Sequence, residues 1–200
     1  MERAGALGRH NAETMSAAAA APLVLDGFFT RAECDALIQR ADSQKWHQAT
    51  INVGDGEEEL DLEERKHMRT FVDDTILAAE VSFRLKEHVP HDFVNPRFRT
   101  LSYVGGDFFA PHFDGEQYHL GGISTHTVIL YLNDVPAEAG GATRFCDTDF
   151  KVHPVAGRAL VFKQEDWLHE GERLVGTCRK IVMRTDLMHF CPTRESEGAE

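Results

Sequence analysis

The segment Pro111-His112-Phe113-Asp114 constrains the fold more than any other stretch of this chain. Residues i and i+2 point to the same side only in an extended strand, so His112 and Asp114 can act together only if the segment is not helical. Pro111 pushes the same way, because it biases its neighbourhood away from helix. A third group of the same kind, His169 in Trp167-Leu168-His169-Glu170-Gly171, follows the apolar, strand-like run Ala159-Leu160-Val161-Phe162. Two imidazoles and one carboxylate from two strands form a set on one face of an octahedral ion and leave the other face open. That donor set suits non-haem Fe(II) oxygen chemistry. His112, Asp114 and His169 are therefore the candidate metal ligands and catalytic residues.

The rest of the chain supplies a scaffold for such a strand pair. Residues 1–21 mix small and charged residues without a period and read as a mobile tail. Residues 22–190 read as one domain, and 191–200 as a C-terminal tail. Leu23-Val24-Leu25 is a short strand. Thr30 and Glu33 make a capping box, after which Leu37, Ile38 and Ala41 give one apolar helix face. Asp73 or Asp74 caps a second helix reaching about His88, with Ile76, Leu77, Val81 and Leu85 as its buried face and Pro90 after its end. Beyond residue 95 the pattern changes to short strands and glycine turns. Phe98–Tyr103, Phe108–Asp114, Thr125–Leu132, Thr143–Phe145, Phe150–Val155, Ala159–Phe162 and Arg179–Thr185 are the strand candidates. The expected fold is mainly β with flanking helices: a double-stranded β-helix, or jelly roll, with the N-terminal helices packed on one sheet.

Bulk properties narrow the partners. Two hundred residues suit one domain with a sizeable core. A net charge of −12 argues against a nucleic-acid or membrane surface and favours a neutral or basic substrate. Cys34, Cys146, Cys178 and Cys191 follow no framework spacing and read as reduced thiols, which fits a cytoplasmic protein. No apolar run is long enough to cross a bilayer, and the alanine-rich stretch from Met15 to Leu25 reads as part of the chain, not as a signal peptide. The acidic stretch Gly54–Arg65 is a solvated loop or a lid over a cationic substrate. The sequence carries no signal for oligomeric state.

From Leu23 to Met188 the chain resembles the prolyl-4-hydroxylase-like 2-oxoglutarate/Fe(II) dioxygenases. The resemblance rests on elements that occur in order: Leu25 through Cys34, Arg99 through Tyr103 with Gly106, His112-Phe113-Asp114, Val128 through Asp134, Gly140-Gly141-Ala142-Thr143, Ala156 through Phe162, His169-Glu170-Gly171, and Lys180 through Asp186. It implies a hydroxylase that consumes 2-oxoglutarate and O2 and releases succinate and CO2. The implied substrate is a prolyl or related residue of a peptide or protein, or alternatively a free amino acid or other small metabolite. A non-catalytic jelly-roll binding module is the remaining alternative. The resemblance further implies that His112, Asp114 and His169 bind Fe(II), that Lys180 pairs with the distal carboxylate of 2-oxoglutarate, that Tyr103 hydrogen-bonds near it, and that ascorbate serves as reductant. The interval from His169 to Lys180 is one residue longer than the usual family spacing, which leaves Arg179 at the usual distance.

Strand alternation separates the two residues. One face of the last strand reads Arg179, Ile181, Met183, and the other reads Lys180, Val182, Arg184, Asp186. Helices covering the outer face of the sheet require Ile181 and Met183, so Lys180 points inward and Arg179 outward. Arg184 and Asp186 then neutralise one another on the inner face, where Arg184 is a further candidate for contact with 2-oxoglutarate. Thr143 either faces the pocket or is a plain turn hydroxyl. Trp167 reads as core, Glu170 as a turn residue, and His119 and His126 as exposed histidines, not a second metal site.

Overall fold

A computed structural model describes residues 21–54 and 57–191. The two expected tails fall almost wholly outside the described residues. The chain folds into two antiparallel sheets that face each other as a jelly roll. The large sheet runs in the order Leu23–Leu25, Arg158–Lys163, Gly122–Tyr131, Lys180–Phe190, Arg97–Tyr103, Met68–Asp73 and His47–Gln48. The facing sheet runs Lys151–Val152, Thr143–Phe145, His169–Gly171, Phe108–His112 and Arg65–Lys66.

Alternation along the strands builds two cores. On the outer face of the large sheet, Val128, Leu130, Ile181, Met183 and Phe98 are buried against the helices Arg31–Asp42 and Thr75–Leu85, which contribute Cys34, Leu37, Leu77, Val81 and Leu85. Between the sheets, Leu101, Tyr131, Leu160 and Val182 meet Phe145 and Val152 of the smaller sheet. Each fully buried aliphatic side chain contributes about 1.5–3 kcal/mol. The helix starts follow from local chemistry. Thr30 and Glu33 form the reciprocal capping box, and Asp74 caps the second helix through the N–H groups of Ile76 and Leu77.

Four expectations change. The second helix ends at Leu85, and Ile76 is 81% exposed, because capping by Asp74 turns Leu77, Ala78, Val81 and Leu85 inward. The strand expected over Phe150–Val155 is only Lys151–Val152. The last strand continues to Phe190, since Asp92 bonds to Met188 and Phe190 at its end and Phe93–Val94 pairs with it. The acidic stretch is partly ordered: Ile51–Gly54 pairs with Glu57–Glu59, and Asp61 accepts bonds from the N–H groups of Glu63 and Glu64 in a turn that delivers Arg65 onto the smaller sheet.

One turn locks the first helix to the sheet. Gly157 has φ +81°, donates its N–H to Tyr131 O and accepts from Phe29 N–H. A Cβ there would meet Phe29 O at 2.0 Å. Gly157→Ala is expected to cost about 2–4 kcal/mol, from the left-handed backbone plus a clash that only backbone movement relieves. Urea unfolding measures it; a cost below about 1 kcal/mol would show that the turn relaxes freely.

Candidate active site

His112 ends its strand and lies directly opposite His169 in the antiparallel pairing, so register alone brings the two imidazoles together, with ring centroids 4.3 Å apart. Asp114, two residues on, reaches the same point. Its Oδ1 lies 3.7 Å from His112 Nε2 and its Oδ2 lies 3.7 Å from His169 Nε2. Potential ligand atoms of all three lie within 4.8 Å of one another, the only such group among the described residues. Backbone carbonyls fix both rings: Ala110 O lies 2.8 Å from His112 Nδ1, and Trp167 O lies 3.0 Å from His169 Nδ1. This holds the proton on Nδ1 and turns the Nε2 lone pairs toward Asp114, as a metal-binding histidine requires. Phe109 stacks on His112 at 3.5 Å, and the edge of Phe162 meets His169 at 4.6 Å.

The electrostatics match a cation-binding set. Burial, with the neighbouring His169, depresses the pKa of His112 to about 3, so the ring is neutral and free to ligate. Burial alone would raise Asp114, but the Arg184 guanidinium and the Thr127 hydroxyl bond outweigh it and keep the carboxylate ionised. Thr127 Oγ1 donates to Asp114 Oδ2 at 2.6 Å, and Arg184 Nη2 lies 3.1 Å from Oδ1. Two neutral imidazoles and an ionised, oriented carboxylate fit a divalent first-row ion with open positions.

Next to this set is a cleft of about 470 Å³, mouth included. Its floor comes from the inner face of the large sheet, where Lys180 is paired across strands with Tyr103. Lys180 is buried, its Nζ lies 4.6 Å over the Tyr103 ring, and no carboxylate is within ion-pair distance among the described residues. Thr143 also lines the cleft and accepts a 2.7 Å bond from Tyr131. Arg179 points outward, held by both oxygens of Asp42 at 2.8 and 3.0 Å and lying over Trp46. Gly176, at φ +80°, sits in the turn that leads into the last strand.

Burial lowers Lys180 to about pH 8, partly offset by Glu172. Below that pH the amine is charged and attracts a carboxylate; above it the charge is lost. A dianion bound through Lys180 is therefore expected to lose affinity as pH rises past about 8, by up to roughly tenfold per unit. Lys180→Arg should flatten this slope. Calorimetric titration of 2-oxoglutarate between pH 7 and 9.5 measures it, and a wild-type affinity independent of pH would contradict it.

Some residues differ from the sequence reading. Glu170 is not a turn residue: it lies on the strand His169–Gly171, lines the cleft and pairs with Arg144 at 2.6 Å. His119 and His126 are half-buried and not exposed, and they join no metal-ligand group. Three contributors carried no sequence signal. Arg65 lines the cleft over Phe109. His67 is buried against Tyr103 with ring centroids 4.4 Å apart, and burial keeps it neutral. Gln164 bonds to Asp186 at 3.0 Å. The acidic stretch thus presents an arginine to the site, and its Glu58 is committed to Arg69 and Thr50.

Residues 98–185 match the family model of the 2OG-Fe(II) oxygenase superfamily. The matched stretch is under half of the chain, holds His112, Asp114, His169 and Lys180, and resembles the 2-oxoglutarate-dependent dioxygenases that use Fe(II). Its fold resembles that of prolyl hydroxylases. The viral collagen prolyl hydroxylase of Paramecium Bursaria Chlorella virus-1, solved with 2-oxoglutarate, is 18% identical at a TM-score of 0.64, covering 84% of this chain and 96% of that one. A Pseudomonas putida prolyl-4-hydroxylase is 16% identical at a TM-score of 0.64, over 85% and 93%. HygX from Streptomyces hygroscopicus, solved with nickel, 2-oxoglutarate and hygromycin B, is 13% identical at 0.56, over 86% and 83%. At these identities the likeness is one of fold. No curated protein sequence matches the chain significantly. Among the described residues no helix is long and apolar enough to cross a membrane.

Proposed function

We propose that this chain hydroxylates an unactivated C–H of a prolyl or related residue in a peptide, with His112, Asp114 and His169 holding Fe(II) and Lys180 anchoring 2-oxoglutarate. The observation that carries this reading is the placement of an uncompensated buried lysine in the same cleft as a neutral-imidazole and carboxylate set. Bound Fe(II) would supply the O2 activation that couples 2-oxoglutarate decarboxylation to C–H oxidation.

The protein's own residues do the rest. Lys180 would receive the distal carboxylate, and Tyr103, whose ring lies beside the Lys180 Nζ, would donate near it. Tyr103 remains protonated, because burial raises its pKa well above the ordinary value. Phe109 and Phe162 wall the histidines and keep the site dry.

A second reading, the same chemistry on a small metabolite, draws support from the cleft's cationic lining and from the likeness to HygX, whose solved structure holds hygromycin B. The two are separated by measuring succinate release with a panel of proline-containing peptides and small metabolites, and by finding an added oxygen in the product by mass spectrometry. Stimulation by peptides alone supports the first reading, and stimulation by small acids or sugars alone replaces it with the second.

A further inference from the structure

We infer that the substrate of this cleft carries a carboxylate, which the Arg65 guanidinium receives beside the metal site. The inference rests on the reading of the cleft as the reaction site and names the class of molecule that enters it.

Arg65 is brought to the cleft by the short strand Arg65–Lys66, which pairs with Phe108 and Phe109. Its guanidinium lies 4.0 Å over the Phe109 ring, and that ring stacks on His112. The cation is thus one aromatic ring away from a proposed metal ligand. Nη1 donates to Thr50 O at 2.8 Å, but Nε is buried without an acceptor. Among the described residues no carboxylate lies within ion-pair distance of Arg65. Burial of an unpaired guanidinium is costly, and burial lowers the pKa of Arg65 to about 10. A protein keeps such a group at a cleft when a ligand supplies the missing charge. A guanidinium edge offers parallel N–H donors that match the two oxygens of a carboxylate.

The neighbours of Arg65 strengthen the case. Arg184 and Arg99 are cross-strand partners on the same inner face, and both reach Asp186 at 3.2 Å. Arg184 Nε is also buried without a partner. Near the metal set, Lys180, Arg65, Arg99 and Arg184 stand against Asp114 and Asp186, while Glu170 and Glu172 are paired with Arg144 and Lys151. A divalent ion and a dianionic cosubstrate cancel one another, so their arrival leaves this positive excess in place. Arg99 also lines an adjoining groove with Arg69 and Arg97, whose charges are met by Glu58 and Asp73, so the excess is confined to the neighbourhood of the metal set. The local field is opposite in sign to the net charge of −12 and reverses the expectation of a basic substrate.

The carboxylate can belong to a small acid or to an acidic side chain next to the oxidised residue. The test uses protein loaded with Zn(II) and 2-oxoglutarate, which binds without turning over and so reads the anion site independently of the reaction. N-acetyl-L-proline is titrated against N-acetyl-L-prolinamide, and acetyl-Pro-Asp-amide against acetyl-Pro-Asn-amide. The Nε–H resonance of Arg65 and calorimetry are the readouts. The acid member of at least one pair is expected to bind about tenfold tighter than its neutral partner and to shift the Arg65 signal. The pair that discriminates identifies the source. In Arg65→Gln the preference should fall below about threefold while 2-oxoglutarate affinity stays within about twofold, and Arg65→Lys should keep part of the preference. Equal or absent binding of acid and neutral members overturns the proposal. So does a tenfold loss of 2-oxoglutarate affinity in Arg65→Gln with the acid preference intact, which would make Arg65 a cosubstrate residue. Failure here with intact 2-oxoglutarate turnover would leave the dioxygenase reading standing.

Discussion

Lys180→Ala is expected to weaken 2-oxoglutarate binding by about a hundredfold or more, whereas Arg179→Ala should change it by less than about fivefold. The two residues are adjacent and both cationic, and they differ in what surrounds them. Lys180 is buried on the inner face against Tyr103, without a counter-ion among the described residues. A carboxylate arriving there completes a desolvated pair, and losing one member of such a pair costs about 3–5 kcal/mol. Arg179 already has its partner in Asp42 on the outer side, where both side chains remain about two-fifths exposed. An exposed pair contributes about 1 kcal/mol or less, and only to stability. Calorimetry on metal-loaded protein compares the two variants. A larger loss from Arg179→Ala would mean that the last strand is shifted by one residue.

His112→Ala and His169→Ala should each reduce Fe(II) affinity by more than about a hundredfold and abolish turnover. Removing a residue that only orients a ligand already costs about 10–100-fold in metal affinity, and removing the ligand itself exceeds that. Two remaining donors on an open face hold a divalent ion poorly. Stability gives a second readout, since ion at a hundred times its dissociation constant stabilises the wild type by about 2.7 kcal/mol and should not stabilise either variant. Zn(II) or Ni(II) should occupy the wild-type site without activity, because such donor sets select weakly by affinity. Wild-type-like Fe(II) binding by either variant would reassign the site.

The parts legible in the sequence were those written in short-range pattern. The capping box at Thr30, the extended spacing of His112 and Asp114, and the alternation that turns Lys180 inward and Ile181 and Met183 outward follow from local geometry. What was not legible depends on partners distant in sequence. Strand Met68–Asp73 has only Thr70-Phe71-Val72 as strand formers and is completed by pairing with Arg97–Tyr103. Arg65 closes an acidic stretch and reads as a solvated side chain until the turn at Asp61 sets it over Phe109. Glu170 looks like a turn beside Gly171, yet pairing with Arg144 keeps it in a strand. Net charge averages over the whole chain and carries no signal for Arg65, Arg99 and Arg184, which three strands bring together.

The central claim is that one cleft joins a metal set to a 2-oxoglutarate anchor in a working dioxygenase. The most direct measurement follows O2 uptake, 2-oxoglutarate loss and succinate formation together in wild type, Asp114→Ala and Lys180→Ala, with Fe(II) supplied. The expected result is Fe(II)-dependent consumption of O2 and 2-oxoglutarate with matching succinate in the wild type, none in Asp114→Ala, and recovery in Lys180→Ala only at much higher 2-oxoglutarate. Succinate formation unaffected by Asp114→Ala, or absent from the metal-loaded wild type under every substrate tried, would contradict it.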